Sequence, residues 1–156
     1  MTGATFGSGW TGSGDSGFDL AISGDGQAFT LTFAEIEADL DGGKSPDLFA
    51  ARVFSAVLPI EGADSDVDIA FTAQGFAFAT KGANTYALLS VNGQTNVLPF
   101  SGDTDESFVQ QLSITSGPAS LCHLVMVAVV QRDPAYPDAA ATLRPSSIDA
   151  EIQPSR

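Results

Sequence analysis

The sequence predicts an all-β domain, an antiparallel β-sandwich of about nine strands. Three observations carry that expectation. Apolar and polar residues alternate over most of the chain, turn residues recur about every 8–14 positions, and no long amphipathic helical pattern intervenes. A closed β-barrel shares the same alternation and stands as the alternative.

The elements follow in order. Residues 1–16 are rich in Gly, Ser and Thr around Trp10 and read as a flexible arm, leaving 17–153 as a single β domain. Phe18, Leu20 and Ile22 share one face of a strand, and Gly24-Asp25-Gly26 offers the positive φ of a tight turn. Phe29, Leu31 and Phe33 continue on the next strand. At Ala34 the phase slips by one, so that Ile36, Ala38 and Leu40 face away from Glu35, Glu37 and Asp39. A β-bulge explains such a slip, and a short helix over 34–40 is the rival. The row of three carboxylates is expected to be a solvated face. Leu48 to Ile60 is apolar in both phases and is expected to be buried on both faces, with Pro59 near its end. Val67, Ile69, Phe71 and Ala73 alternate next, and Gly75 is expected to bend their strand. Asn92-Gly93 between two alternating runs marks a hairpin of type I′. Ser101 to Glu106 reads as an acidic loop. Phe108–Thr115 and Leu121–Gln131 read as strands, Arg132–Ala141 with Pro134 and Pro137 as a loop, and Leu143–Ile152 as the last strand.

A chain of 156 residues is the size of one domain and buries enough surface to fold without staples. Six basic residues stand against nineteen acidic ones, a net charge of −13. A field of that sign repels a phosphate backbone and an anionic bilayer, so nucleic acid is not expected as a partner. It favours a soluble chain. The first ten residues lack the basic and apolar regions of a signal peptide, and no apolar run reaches the 18 residues of a spanning helix. One cysteine, Cys122, leaves no internal disulfide.

Few residues offer chemistry. His123 is the lone histidine, and adjacent Cys122 points to the opposite face of a strand, so the two form no dyad. Packing roles are expected for both. Gly42-Gly43-Lys44-Ser45 resembles the end of a phosphate-binding loop, but Ala38 stands where the first glycine belongs, so a turn is expected. No catalytic residue is assigned, and an enzyme is not the favoured reading. Carboxylates are in surplus. Asp64-Ser65-Asp66-Val67-Asp68 has the spacing that opens a calcium loop, but Ile69 and Gly75 exclude an EF-hand. The remaining metal expectation is calcium between sandwich loops, held by Asp64 and Asp66 with Asp103, Asp105 and Glu106. Trp10, Tyr86 and Tyr136 are the amphipathic aromatics, and they are the candidates for saccharide contact.

Gly7-Ser-Gly-Trp10, the stretch Ser23 to Phe33 and Ser147-Ile-Asp-Ala-Glu151 together resemble a family of uncharacterised secreted β-sandwich proteins from bacteria and fungi. The resemblance implies a sandwich fold and an extracellular or envelope setting. It implies no activity. Members carry several cysteines, where this chain has Cys122 alone.

The function expected is a non-enzymatic binding module, calcium-supported, with a protein or saccharide partner. One alternative is a self-assembling structural protein, a homo-oligomer held through the apolar strands Leu48–Leu58 and Leu121–Val130. The other is a small barrel with an apolar cavity, a carrier or a cyclase-like enzyme with His123 or Tyr86 inside.

Overall fold

The computed structural model describes residues 3–14, 17–34, 36–42, 47–118 and 120–154. The described residues form twelve strands: β1 (Thr5–Phe6), β2 (Thr11–Gly14), β3 (Phe18–Ile22), β4 (Ala28–Phe33), β5 (Ala38–Leu40), β6 (Phe49–Glu61), β7 (Val67–Ala79), β8 (Ala83–Val91), β9 (Gln94–Ser101), β10 (Thr104–Ser116), β11 (Leu121–Arg132) and β12 (Ala141–Ile152). All pairings are antiparallel. One sheet runs β1-β6-β11-β8-β9, with β2 on the same side of β6 as β1. The other runs β10-β7-β12-β4-β3, with β5 beside β4 along β12. The two sheets stack as a β-sandwich, and no strand pairing closes them into a barrel among the described residues. No helix there is long and apolar enough to cross a membrane.

Phenylalanines stitch the sheets together. Phe54 of β6 meets Phe18 and Phe33 of the opposite sheet edge to face, at 4.9 and 5.0 Å between ring centres. Phe6 of β1 meets Phe29 of β4 at 4.9 Å. Leu58, Leu89, Leu124 and Met126 fill the space from one side, and Leu31, Ile69, Leu143 and Ile148 from the other. Offset and edge-on ring pairs add about 0.5–1.5 kcal/mol each beyond the area that they bury.

The expected turns locate well. Asn92 and Gly93 have φ of 50° and 85°, as a type I′ hairpin requires. The acidic loop expected at 101–106 is instead a two-residue connection. Gly102 and Asp103 have φ of 36° and 54°, and they carry the chain from β9 in one sheet to β10 in the other. The phase slip near Ala34 is a strand change: β4 ends at Phe33 and β5 resumes at Ala38, both against β12. Opposite Gly75 the register shifts between Pro145 and Ser147, so the irregularity lies on β12. A Cβ at residue 75 would lie 2.6 Å from the Arg144 carbonyl oxygen and 2.6 Å from the Phe108 ring, which only glycine avoids.

Two further expectations are corrected. Within the N-terminal arm, residues 5–6 and 11–14 are strands β1 and β2, hydrogen-bonded along β6. Their Gly and Ser content reflects close approach: a Cβ on Gly14 would lie 2.9 Å from the Val53 carbonyl oxygen. The Leu48–Ile60 stretch is not buried on both faces. Phe54, Ala56, Leu58 and Ile60 face the core, while Leu48, Phe49 and Val53 stand exposed at 48, 63 and 44%. Glu35 and the stretch Gly43-Lys44-Ser45 lie outside the described residues.

Candidate functional site

The end of the sandwich where β7, β9 and β11 finish is built from three connecting segments. The first is Thr80-Lys81-Gly82-Ala83, closed by the Ala83 amide donating to the Thr80 carbonyl at 3.0 Å. Its third position needs positive φ, and Gly82 has φ of 90°. The second is the Gly102-Asp103 connection. The third segment is the β11–β12 loop, and its sequence dictates its shape. Asp133-Pro134-Ala135-Tyr136 and Tyr136-Pro137-Asp138-Ala139 are consecutive turns, each with proline at the second position, where its fixed φ is favoured. The Tyr136 amide donates to the Asp133 carbonyl at 2.9 Å, and the Ala139 amide donates to the Tyr136 carbonyl at 3.0 Å. The Asp133 carboxylate also accepts from the Ala135 amide at 2.9 Å.

This loop is pinned at both ends. The Asp133 amide donates to the Gly82 carbonyl at 2.8 Å. Thr80 and Ala140 exchange bonds through the Thr80 amide and hydroxyl, each 2.9 Å. Beneath the loop lies Arg132, 6% exposed, whose Nη1 donates to the carbonyls of Asp41 at 3.3 Å and Ala139 at 3.2 Å.

Tyr136 belongs to both proline turns, and its ring lies over Gly82, where a Cβ would collide with it. The residue is 41% exposed. The Lys81 ammonium sits 6.0 Å from the ring centre, within reach of the ring's negative face. Tyr136, Pro137, Lys81, Asp103 and Asp138 line an open cleft of about 510 Å³. A rigid aromatic surface here borders one cation and two carboxylates, a set able to stack an apolar face and hydrogen-bond a polar edge.

A second concavity, about 560 Å³, lies at the opposite end and is lined by Asp68, Ser113, Thr115, Gln94 and Gln153 among others. It has no aromatic wall, and its Asp68 carboxylate already accepts from Thr115 at 2.6 Å.

Of the three candidate aromatics, only Tyr136 lines such a cleft. Trp10 packs edge to face on Phe18 at 5.7 Å, and Tyr86 lies on the outer face of its sheet with its hydroxyl accepting from Gln131 at 2.8 Å. The five acidic residues expected to share an ion are not brought together. Asp64 and Asp66 precede β7, whereas Asp103 sits beside Thr104, which pairs with Ala79 at the far end of that strand. Thirteen strand residues separate the two groups by about 40 Å. Asp103 enters the cleft, and Asp105 and Glu106 run up β10 opposite Phe78 and Ala77. Among the described residues no three His, Cys, Asp or Glu side chains form a ligand group. His123 is exposed, its amide accepted by the Asn92 side chain at 2.7 Å. Cys122 is fully buried on the opposite face, and burial pushes its thiol up to about 12. Gly82 and Asp138 did not stand out in the sequence, and Lys81 reads there as a solvated loop lysine. The repeated proline spacing around Tyr136 was the available signal.

No protein-family model and no curated protein matches the sequence. Solved structures overlap it loosely. TmCBM61, solved in complex with β-1,4-galactotriose, overlaps 94% of this chain and 90% of its own at 13% identity and a TM-score of 0.39. The enzymatically active domain of bacteriophage CBA120 tailspike protein 4 gives 13% identity and a TM-score of 0.29. The GH31 α-xylosidase Xac1773 from Xanthomonas citri gives 14% and 0.27. This chain spans 20% and 19% of the last two. Overlaps of this quality say nothing about function.

Proposed function

We propose that the Tyr136 cleft binds a saccharide and that the domain is a binding module. One observation carries this reading: an exposed tyrosine ring held by two proline turns against Gly82, forming the wall of an open cleft. A sugar ring presents C–H groups on its faces and hydroxyls around its edge. The Tyr136 ring suits the first, and Lys81, Asp103 and Asp138 suit the second. The platform is preformed, so little ordering entropy opposes binding. An open cleft with one ring implies modest affinity, with a Kd of about 10 µM to 1 mM, or roughly −7 to −4 kcal/mol.

The test is calorimetric titration of neutral oligosaccharides into the wild-type chain and Tyr136→Ala. β-1,4-galactotriose, gluco-, manno- and xylo-oligosaccharides form the panel. Binding of at least one, lost in Tyr136→Ala with an unchanged melting temperature, supports the proposal. Silence across the panel, or equal binding by Tyr136→Ala, overturns it.

A further inference from the structure

The outer faces of the two sheets differ in kind. On the outer face of the β10-β7-β12-β4-β3 sheet, β3, β5, β7, β10 and β12 carry Asp19, Asp39, Asp68, Asp105, Asp149 and Glu151. Three of these carboxylates accept threonine hydroxyls across the face, Asp149 from Thr30, Asp68 from Thr115 and Asp39 from Thr142, each at 2.6 Å. This is a solvated surface. In the other sheet, β1, β2, β6, β8, β9 and β11 together hold a single carboxylate, Glu61, the last residue of β6.

The strand registers set the outward residues of that sheet in rows. Val53, Val127, Leu88 and Val97 stand side by side across four strands. Ala51, Val129, Tyr86 and Pro99 form the next row. Val57 lies beside His123 and Pro59 beside Leu121. Val53, Val97 and Leu121 are 44, 49 and 61% exposed. An antiparallel sheet with one face in water alternates apolar inside with polar outside. This one carries two apolar rows on its outer side as well, bordered by the row of Ser55, Val125, Ser90 and Thr95.

We propose that this face packs against the same face of a second copy, sheet on sheet, to form a two-fold dimer. Charge selects the occupant. With a net charge of −13, two copies repel wherever carboxylates meet, and this is the face on which they approach without them. A basic partner would be drawn to the acidic sheet instead. The area suffices. Four strands span about 19 Å over the ~14 Å from the Ala51 row to the Ser55 row, and β6 and β11 alone carry the face a further ~13 Å to the Pro59 row, a planar footprint of about 400 Å². Two copies with their side-chain relief reach the ~1,000 Å² that a specific interface needs. Flat valine rows are self-complementary, as an isologous contact requires. The proposal is independent of the saccharide reading, since the Tyr136 cleft lies at the loop end.

The test is sedimentation velocity of the wild-type chain from about 1 to about 200 µM, a range that brackets a Kd near 10 µM. The expected result is the mass of two chains at the upper end. Val53→Lys and Val97→Glu each weaken association at least ~10-fold, equivalent to 1.4 kcal/mol or more. Their melting temperatures, taken at concentrations where the wild type is monomeric, stay unchanged. Val109→Glu, on the acidic sheet and 59% exposed, leaves the dimer intact, as does Tyr136→Ala. A wild-type chain that is monomeric throughout overturns the proposal, whether or not it sediments with neutral phosphatidylcholine vesicles. So does a dimer that survives both Val53→Lys and Val97→Glu.

Discussion

The Tyr136 ring rests on the bare backbone of Gly82, where even a methyl group would collide with its Cβ and Cγ. Gly82 also has φ of 90°, which a side chain resists. Gly82→Ala therefore costs about 1–3 kcal/mol in backbone strain and lifts the ring from its seat. A melt should show a fall of several degrees, at roughly 2–4 °C per kcal/mol. Saccharide affinity should drop at least ~10-fold. Unaltered affinity would mean that this contact does not set the ring's position.

Arg132 is the buried tie between the cleft loop and the chain near Asp41. Arg132→Met keeps much of the stem but removes the donors, leaving the Ala139 carbonyl short of a partner. The expected cost is about 1–3 kcal/mol. Hydrogen exchange localises it, because the amides of Ala139 and Ala140 should exchange faster while those of the central strands keep their protection relative to global unfolding.

Gln110 of β10 reaches across the sandwich. Its Nε2 lies 3.0 Å from the Ala87 carbonyl oxygen, 2.8 Å from that of Asn96, and 2.8 Å from Asn96 Oδ1. Gln110→Leu removes the donor from a nearly closed interior and should destabilise by about 1–3 kcal/mol in chemical denaturation. Gln111→Leu, one residue on and exposed, should stay within about 0.5 kcal/mol.

The Cys122 thiol is raised from 9.0 to about 12 by burial alone. The folded chain thus holds its proton where the unfolded chain has lost it. Stability is fully present below pH 9 and declines as pH rises from 9 towards 12, by up to ~1.4 kcal/mol per pH unit from this group. At pH 8 iodoacetamide should label Cys122 at the rate of global opening, and rapidly once urea unfolds the chain. Fast labelling of the native protein would contradict the burial.

The alternation of Phe18–Ile22, Phe29–Phe33 and Val67–Ala73, and the Asn92-Gly93 hairpin, were legible because strand period and turn chemistry are local properties. The double proline turn around Tyr136 was legible as a loop for the same reason. What escaped depends on register. The shared calcium site needed the loop of Asp64 and Asp66 to meet that of Asp103, and β7 places them at opposite ends. The two apolar faces of Leu48–Ile60 look alike in composition, yet one faces the core and the other water. Gln110 is polar and sits inside, where the expected sense of an alternating strand is inverted by a partner from the opposite sheet. The arm around Trp10 lacks the side chains that announce a strand, because β6 leaves them little room.

β12 occupies the middle of its sheet, with β7 on one side and β4 and β5 on the other. It is also the last of the twelve strands to be synthesised. Until residues 141–152 leave the ribosome, β7 and β4 wait with exposed edges, and no local pairing can join them. Such distant closures make folding slow and leave the nascent chain open to wrong partners. One of the two sheets is thus completed only after β12 has emerged, and the yield of the domain in a cell should depend on what shields those edges during the delay.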